Sequence, residues 1–225
     1  MEYDGIPYRV ISPTADIGEG TKIMPFVTIA DGAKVGKNCY IGQGCVIGGG
    51  VSVGDGCVFG NNCSIGVLES LYENEPPPSD NVVHIGNNVT LLHNCFIEAG
   101  GTVVSDNVTV SQNCIIQRGV FIGVDCCLLP NCYIAFSSRL EGENRLGANT
   151  VVGKYTTLQH GVCGAFNCVF KNKTVYKKQS DEILVAGDFN SENTYSTIMA
   201  FSKKQFLAWR KQMRLFANGK KQEDK

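Results

Sequence analysis

Ile17-Gly18-Glu19-Gly20-Thr21-Lys22-Ile23, continued by Met24-Pro25-Phe26-Val27-Thr28-Ile29, sets the period that decides the fold. An aliphatic residue returns at every sixth position: Ile11, Ile17, Ile23, Ile29, Val35, Ile41, Ile47 and Val53, then Phe59 as the one aromatic, then Ile65. Glycine follows it at Gly18, Gly36, Gly42, Gly48, Gly54, Gly60 and Gly66. The phase resumes at Ile85, Leu91 and Ile97. After one extra residue it runs from Val104 through Ile116, Leu128 and Leu140 to Leu158, and it frays at Gly164, Phe170 and Tyr176.

A period of six is neither the helical 3.6 nor the simple strand alternation of two. Short strands joined by tight corners satisfy it. Each hexad is one flat side, three sides close a triangular coil of about 18 residues, and coils stack at the inter-strand spacing of ~4.8 Å. Corners need backbone with φ > 0, which Gly and Asn tolerate best. Asn61-Asn62, Asn87-Asn88, Asn94, Asn107, Asn113, Asn131, Asn149 and Asn172 fall there.

Composition agrees. The chain has 225 residues, 43% hydrophobic and 18% charged, which is globular rather than disordered. Twenty-six glycines against seven prolines, with no Gly-X-Y period, exclude collagen. No apolar run approaches the ~20 residues of a membrane helix, so no membrane span is expected. The start, Met1-Glu2-Tyr3-Asp4-Gly5, carries no secretory pattern, and a cytoplasmic location is expected. A net charge of −1 gives no case for nucleic-acid binding. Residues 203–225, however, hold eight Lys/Arg against Glu223 and Asp224.

The eleven cysteines are expected to be reduced. Nine of them (Cys39, Cys45, Cys57, Cys63, Cys95, Cys114, Cys126, Cys132 and Cys168) sit two positions before an aliphatic one. That slot wants a small, half-buried residue, which reduced cysteine supplies. Cys127 and Cys163 are off phase.

The run from Ile17 and its successors resembles the hexapeptide-repeat, left-handed β-helix superfamily over about residues 10–176. The resemblance implies the left hand and a homotrimer. The expected fold is an all-β, left-handed parallel β-helix of 18-residue triangular coils, with one corner loop and a C-terminal helical cap. The expected layout is an N-terminal lead (1–9), the β-helix (10–176) with an inserted loop (67–82), and a connector (177–201). A C-terminal amphipathic helix (202–216) and a basic tail (217–225) follow. Glu69 to Asp80, with Pro76-Pro77-Pro78, cannot continue the coil. Ser202 with Gln205 is similar to a capping box, and Phe206, Trp209, Met213 and Phe216 recur at helical spacing. Lys203, Lys204, Arg210, Lys211 and Arg214 decorate that helix. It reads as a cap on the coil stack, or as a basic surface for an anionic partner such as an acidic carrier protein.

The three histidines are His84, His93 and His160. His93 and His160 lie some 3.7 coils apart, roughly 18 Å at ~4.8 Å per coil, too far to share a metal bound at ~2 Å. No metal is expected. Leu91-Leu92-His93-Asn94-Cys95-Phe96-Ile97 resembles the aliphatic-x-His-Asp-Cys-x-aliphatic motif of the superfamily's sugar-nucleotide acyltransferases. There the histidine is the general base, a task that suits imidazole because it titrates near neutrality. Asn94 stands where that family often has Asp. A second register competes. The segment from Ser64-Ile65-Gly66 to Val83-His84-Ile85-Gly86-Asn87-Asn88 resembles the insertion-then-coil of the UDP-N-acetylglucosamine acyltransferases. In that register the catalytic position falls near Ile116-Gln117-Arg118. Arginine is no base at neutral pH, so the chain would then be a degenerate enzyme or a binding protein.

The resemblance implies acyl transfer to a nucleotide-linked amino sugar, with acyl-CoA or an acyl carrier protein as co-substrate and no bound cofactor. His93 is the expected catalytic base. Asn94, Gln117, Arg118 and His160 are expected to bind substrate, and Lys154, with Arg145, a phosphate of the donor. Backbone amides of the Gly-rich corners would hold the thioester oxyanion. Phe206-Leu207-Ala208-Trp209-Arg210-Lys211 is similar to a Trp-Arg-Lys helix of related N-acyltransferases. The rival reading is a non-catalytic β-helical trimer or scaffold subunit of a larger assembly.

Overall fold

A computed structural model describes residues 8–67 and 82–177. They form a left-handed parallel β-helix, a triangular prism whose sides are three parallel sheets. Sheet A runs from Val10–Ile11 to Val169–Phe170 and sheet B from Asp16–Ile17 to Val175–Tyr176, with nine strands each. Sheet C has eight, from Lys22–Ile23 to Cys163–Gly164. Most strands are only two residues long, because each side must turn after one inward side chain. Register follows the coil length: Val10 faces Thr28 and Asp16 faces Lys34. Across the insertion Ser64 faces Phe96, and the extra residue in the corner after Glu98 shifts Val83 onto Thr102.

The hexad aliphatics fill the prism. Ile29, Ile41, Ile47, Phe59, Ile65 and Leu91 are among the fully buried side chains, as are Ile116, Ile122, Leu128 and Ile134. The frayed end of the pattern has a steric cause. A Cβ on Gly164 would lie 2.9 Å from Phe170 Cε2, so the small residue on sheet C makes room for the large ring from sheet A.

The cysteine slot is fully buried, not half-buried as its size suggested. Cys39, Cys45, Cys57, Cys63, Cys95, Cys114, Cys126, Cys132 and Cys168 are all 2% exposed or less. The thiol is also a donor. Cys45 Sγ donates to the Gly60 carbonyl at 2.9 Å, and Cys63 Sγ to that of Leu92 at 2.9 Å. Thr21 and Thr156 hydroxyls make the same bond one coil up, to Gly36 at 2.7 Å and Lys171 at 2.6 Å. The slot takes a small side chain, and where that is Cys, Thr or Ser138 it also donates a proton to the next coil's carbonyl. The off-phase Cys127 and Cys163 precede the inward position on sheet C and face outward.

Most corners have one residue at φ > 0. On the corner from sheet C to sheet A this residue is Asn in six successive coils: Asn62, Asn94, Asn113, Asn131, Asn149 and Asn167, with φ between 58° and 61°. Their amides form a ladder, each Nδ2 donating to the next Oδ1, at 3.5, 3.1, 3.2, 3.0 and 2.9 Å. The coil, its hand and its phase match the sequence reading. The C-terminal helix 202–216, with its connector and tail, and loop residues 68–81 lie outside the described residues.

Candidate functional site

The expected site residues fall on all three edges of the prism. His93 and Asn94 are on the C–A edge, Gln117, Arg118 and Lys154 on the A–B edge, and His160 on the B–C edge. Each side is about six residues long, so edges are separated by roughly 15–20 Å. One chain does not bring the six together.

His93 is exposed at its corner, and its Nδ1 accepts the Asn61 backbone N–H at 2.9 Å. Other coils give the same N–H to a carboxamide or carboxylate. Asn61 Oδ1 caps Gln43 at 3.1 Å, Asp55 caps Lys37 at 2.7 Å, and Asp106 caps Asn87 at 2.7 Å. Imidazole thus stands in for Asx. Gly60 permits this, because a Cβ there would come within 2.9 Å of His93 Nδ1. A backbone amide can only donate, so the neutral ring carries its proton on Nε2. Abstraction of a substrate proton by Nε2 requires the other tautomer, and so requires the ring to give up Asn61. Asn94 is a rung of the ladder: its Nδ2 donates to Asn113 Oδ1 at 3.1 Å, which a carboxylate cannot do. This accounts for Asn where the motif has Asp.

The A–B edge holds a different set. Gln117 is buried, and its Oε1 accepts the Phe136 N–H at 3.0 Å, so this oxygen caps a corner rather than meeting a ligand. One coil below, Glu98 is 1% exposed and its Oε2 accepts the Arg118 N–H at 3.1 Å. The Arg118 guanidinium carbon lies 5.2 Å from the Phe136 ring centroid, within cation–π range. Phe136 meets Tyr155 edge-on, with centroids 5.3 Å apart and planes at 83°. Tyr155 is 49% exposed, Lys154 beside it is half-buried, and Lys171 and Lys173 are exposed one coil above. Insertion 67–82 leaves this same edge, between Ser64–Val67 of sheet A and Val83–Ile85 of sheet B. Phe136 and Tyr155 were not anticipated. Their signal was present in the coil-length offsets from Arg118 to Phe136 and from Gly119 and Ser137 to Tyr155.

The edges also differ in charge. Above the insertion, the A–B corners carry Arg118, Lys154, Lys171 and Lys173, with Glu98 as their only acid among the described residues. The B–C corners carry Glu19, Asp55, Asp106, Asp125, Glu141 and Glu143 against Lys37 and His160. Above Arg9 in the lowest coil, the C–A corners carry no Asp, Glu, Lys or Arg among the described residues. His160 belongs to the acidic edge, its Nε2 3.5 Å from Glu143 Oε2. His84 is exposed on sheet B, and Arg145 is half-buried on sheet C. Burial pushes the Cys126 thiol up to about 12, far from the thiolate at neutral pH.

The bacterial transferase hexapeptide family (six repeats) matches at residues 14–49 and 35–66. Over those residues the chain is similar to the hexapeptide-repeat transferases, and the described coils have the left-handed β-helix fold. Among solved structures, the β-helix is similar to the Arabidopsis UDP-N-acetylglucosamine acyltransferase. Identity is 21%, TM-score 0.56, with 72% of this chain and 65% of that one covered. The Campylobacter jejuni UDP-N-acetylglucosamine acyltransferase matches at 22% identity and TM-score 0.43, over 92% of this chain and 82% of its own. GDP-perosamine N-acetyl transferase from Caulobacter crescentus matches at 15% identity and TM-score 0.26, over 72% and 50%. No curated protein matches by sequence. At these identities the hexapeptide-repeat likeness establishes the fold, and the chemistry rests on the edges themselves.

Proposed function

We propose that this hexapeptide-repeat protein transfers an acyl group from a thioester donor, acyl-CoA or an acyl carrier protein, to a nucleotide-linked amino sugar. The observation that carries the reading is the cationic and aromatic A–B edge. Tyr155 and Phe136 offer faces for a nucleotide base, and Lys154, Lys171 and Lys173 offer charge for phosphates. Assembly as a homotrimer has its own support. The outward column of sheet A is apolar over Phe96, Ile115, Tyr133, Val151 and Val169, with Ile115 41% exposed, whereas sheet B presents His84, Arg139 and Thr157. Burying sheet A leaves its two flanking edges, with His93 and with Tyr155, at the mouths of the grooves between subunits. His160 stands on the remaining edge and drops out of the substrate set.

In this reading His93 accepts the acceptor's proton at Nε2 after exchanging its Asn61 bond for water. Corner amides hold the oxyanion, and the acyl carbon passes to the sugar as the thiolate leaves and is protonated. The test incubates the full chain with acetyl-CoA and longer acyl-CoAs plus UDP-amino sugars, and measures released thiol. Acceptor-dependent release that vanishes in His93→Asn supports the reading. Release that persists in that variant ends the role of His93, and absence of release with every pair ends the transferase.

A second reading, a non-catalytic β-helical subunit, is favoured by one observation: the His93 lone pair is committed to Asn61. It predicts a protein partner for sheet A and no response to nucleotides.

A further inference from the structure

The bond from Asn61 to His93 differs in kind from the other corner caps. Where Asp55, Asn61 or Asp106 caps an amide, the accepting oxygen keeps a second lone pair and the cap changes nothing else. Neutral imidazole has one acceptor nitrogen. Accepting the Asn61 N–H at 2.9 Å uses all of it. The ring keeps a proton on Nε2 and has no lone pair facing outward.

The coil itself does not need this bond. Pro25 and Pro130 hold the same place as Asn61, each just before the φ > 0 residue of a C–A corner, and neither has an N–H to give. Register is kept there all the same: Thr28 faces Val46, and Tyr133 faces Val151. Main-chain bonds already tie the Asn61 corner to its neighbours. The Asn94 N–H donates to the Asn61 carbonyl at 2.9 Å, and the Asn62 N–H to that of Gln43 at 2.8 Å. The ladder rung beside the ring is also the longest of the five. Asn62 Nδ2 lies 3.5 Å from Asn94 Oδ1, against 2.9–3.2 Å for the others.

Resting on the acyl-transfer reading, we propose that Asn61 is a positioning residue. Its backbone N–H holds His93 in the tautomer that cannot act as a base at Nε2, and turnover draws on the fraction of rings that has let go. In that fraction Nδ1 takes a proton from water and Nε2 returns one to water, so the ring changes tautomer without changing charge. Nε2 then accepts the proton of the acceptor, and the imidazolium gives it to the leaving thiolate. The Asn61 side chain has a separate duty, since its Oδ1 caps the Gln43 N–H at 3.1 Å. Substitution therefore separates the two roles of this residue.

Asn61→Pro removes the N–H at a corner position where the fold already takes proline. Asn61→Ala keeps the N–H and removes only the Gln43 cap. Two readouts are taken on the full-length protein. Proton–nitrogen NMR of the imidazole rings, with His93→Asn to assign the His93 signals, reads the tautomer. Thiol release from acyl-CoA with UDP-amino sugars reads turnover. Wild type and Asn61→Ala should show the Nε2–H form of His93 with Nδ1 as acceptor. Asn61→Pro should show mixed tautomers and a kcat raised about fivefold, the fold-change carried by one neutral hydrogen bond, with KM little changed. A wild-type His93 protonated on Nδ1, or an Asn61→Pro spectrum identical to that of the wild type, overturns the proposal. So does a folded Asn61→Pro whose kcat is unchanged or lower. Thiol release absent from all three proteins ends the transferase reading and its limit on turnover, while the spectra still decide whether Asn61 sets the tautomer. If Asn61→Pro does not fold, the wild-type spectrum and hydrogen exchange at the Asn61 amide decide. A protected amide with the Nε2–H form supports the restraint, and a freely exchanging amide or the Nδ1–H form overturns it.

Discussion

Replacing His93 separates what its ring does for the corner from what it does for chemistry. Its Nδ1 accepts the Asn61 N–H at 2.9 Å, and the equivalent amide of other coils is capped by an Asx oxygen at 2.7–3.1 Å. His93→Asn should therefore keep the cap, and stability should change by no more than about 0.5 kcal/mol. His93→Ala leaves the amide to water. It should cost about 1 kcal/mol, the usual net worth of one hydrogen bond. For a domain of this size that is a fall in Tm of about 2–4 °C. Thermal denaturation followed by circular dichroism measures both. Amide hydrogen exchange at Asn61 gives the local readout: protected in the wild type and in His93→Asn, faster in His93→Ala. If His93→Asn melts as low as His93→Ala and exchanges as fast at Asn61, imidazole is not acting as an Asx substitute. A well-capped His93→Asn that has also lost acyl transfer would place the loss in the ring's proton chemistry rather than in the fold.

Further outcomes follow from other parts of the prism. Asn131→Ala removes one ladder bond accepted at 3.2 Å and one donated at 3.0 Å, and places alanine at φ 61°. The expected cost is about 2 kcal/mol, read from the denaturant midpoint. The Cys126 thiol is raised by burial from 9.0 to about 12. Its contribution is complete below pH 9 and is lost as pH rises toward 12, because the unfolded chain releases a proton that the folded one retains. Stability should fall there by about 1.4 kcal/mol per pH unit for this thiol, and Cys126→Ala should flatten that slope in urea titrations. Light scattering should return three times the 24.3 kDa chain mass, and Ile115→Asp on sheet A should reduce it to one.

The fold was legible because one residue type recurs at one interval, and a coil that buries one side chain per side can be built no other way. The φ > 0 corners were legible in Asn62, Asn94 and Asn113 for the same reason. The site was legible only in part. His93 stands out by its motif, but its partner Asn61 lies 32 residues earlier across the insertion, a distance no fixed period displays. Gln117 and Asn94 read as ligand groups because a polar residue at a corner looks alike in sequence whether it meets solvent or a neighbouring coil's amide. Which of three edges a residue occupies depends on counting coils through an insertion and an extra residue. His93, Arg118 and His160 therefore looked like neighbours in role and proved to be on separate edges.

The central claim is that the edge of Lys154 and Tyr155 receives a nucleotide-bearing substrate. A thermal shift of the full-length protein against UDP-amino sugars and acyl-CoAs tests it most directly. A ligand at 100 times its Kd adds about 2.7 kcal/mol to the native state. The account predicts a rise of several degrees with a sugar nucleotide or an acyl-CoA, and its loss in Tyr155→Ala with Lys154→Ala. An unmoved melting point across every ligand, or a shift that survives the double substitution, would contradict it.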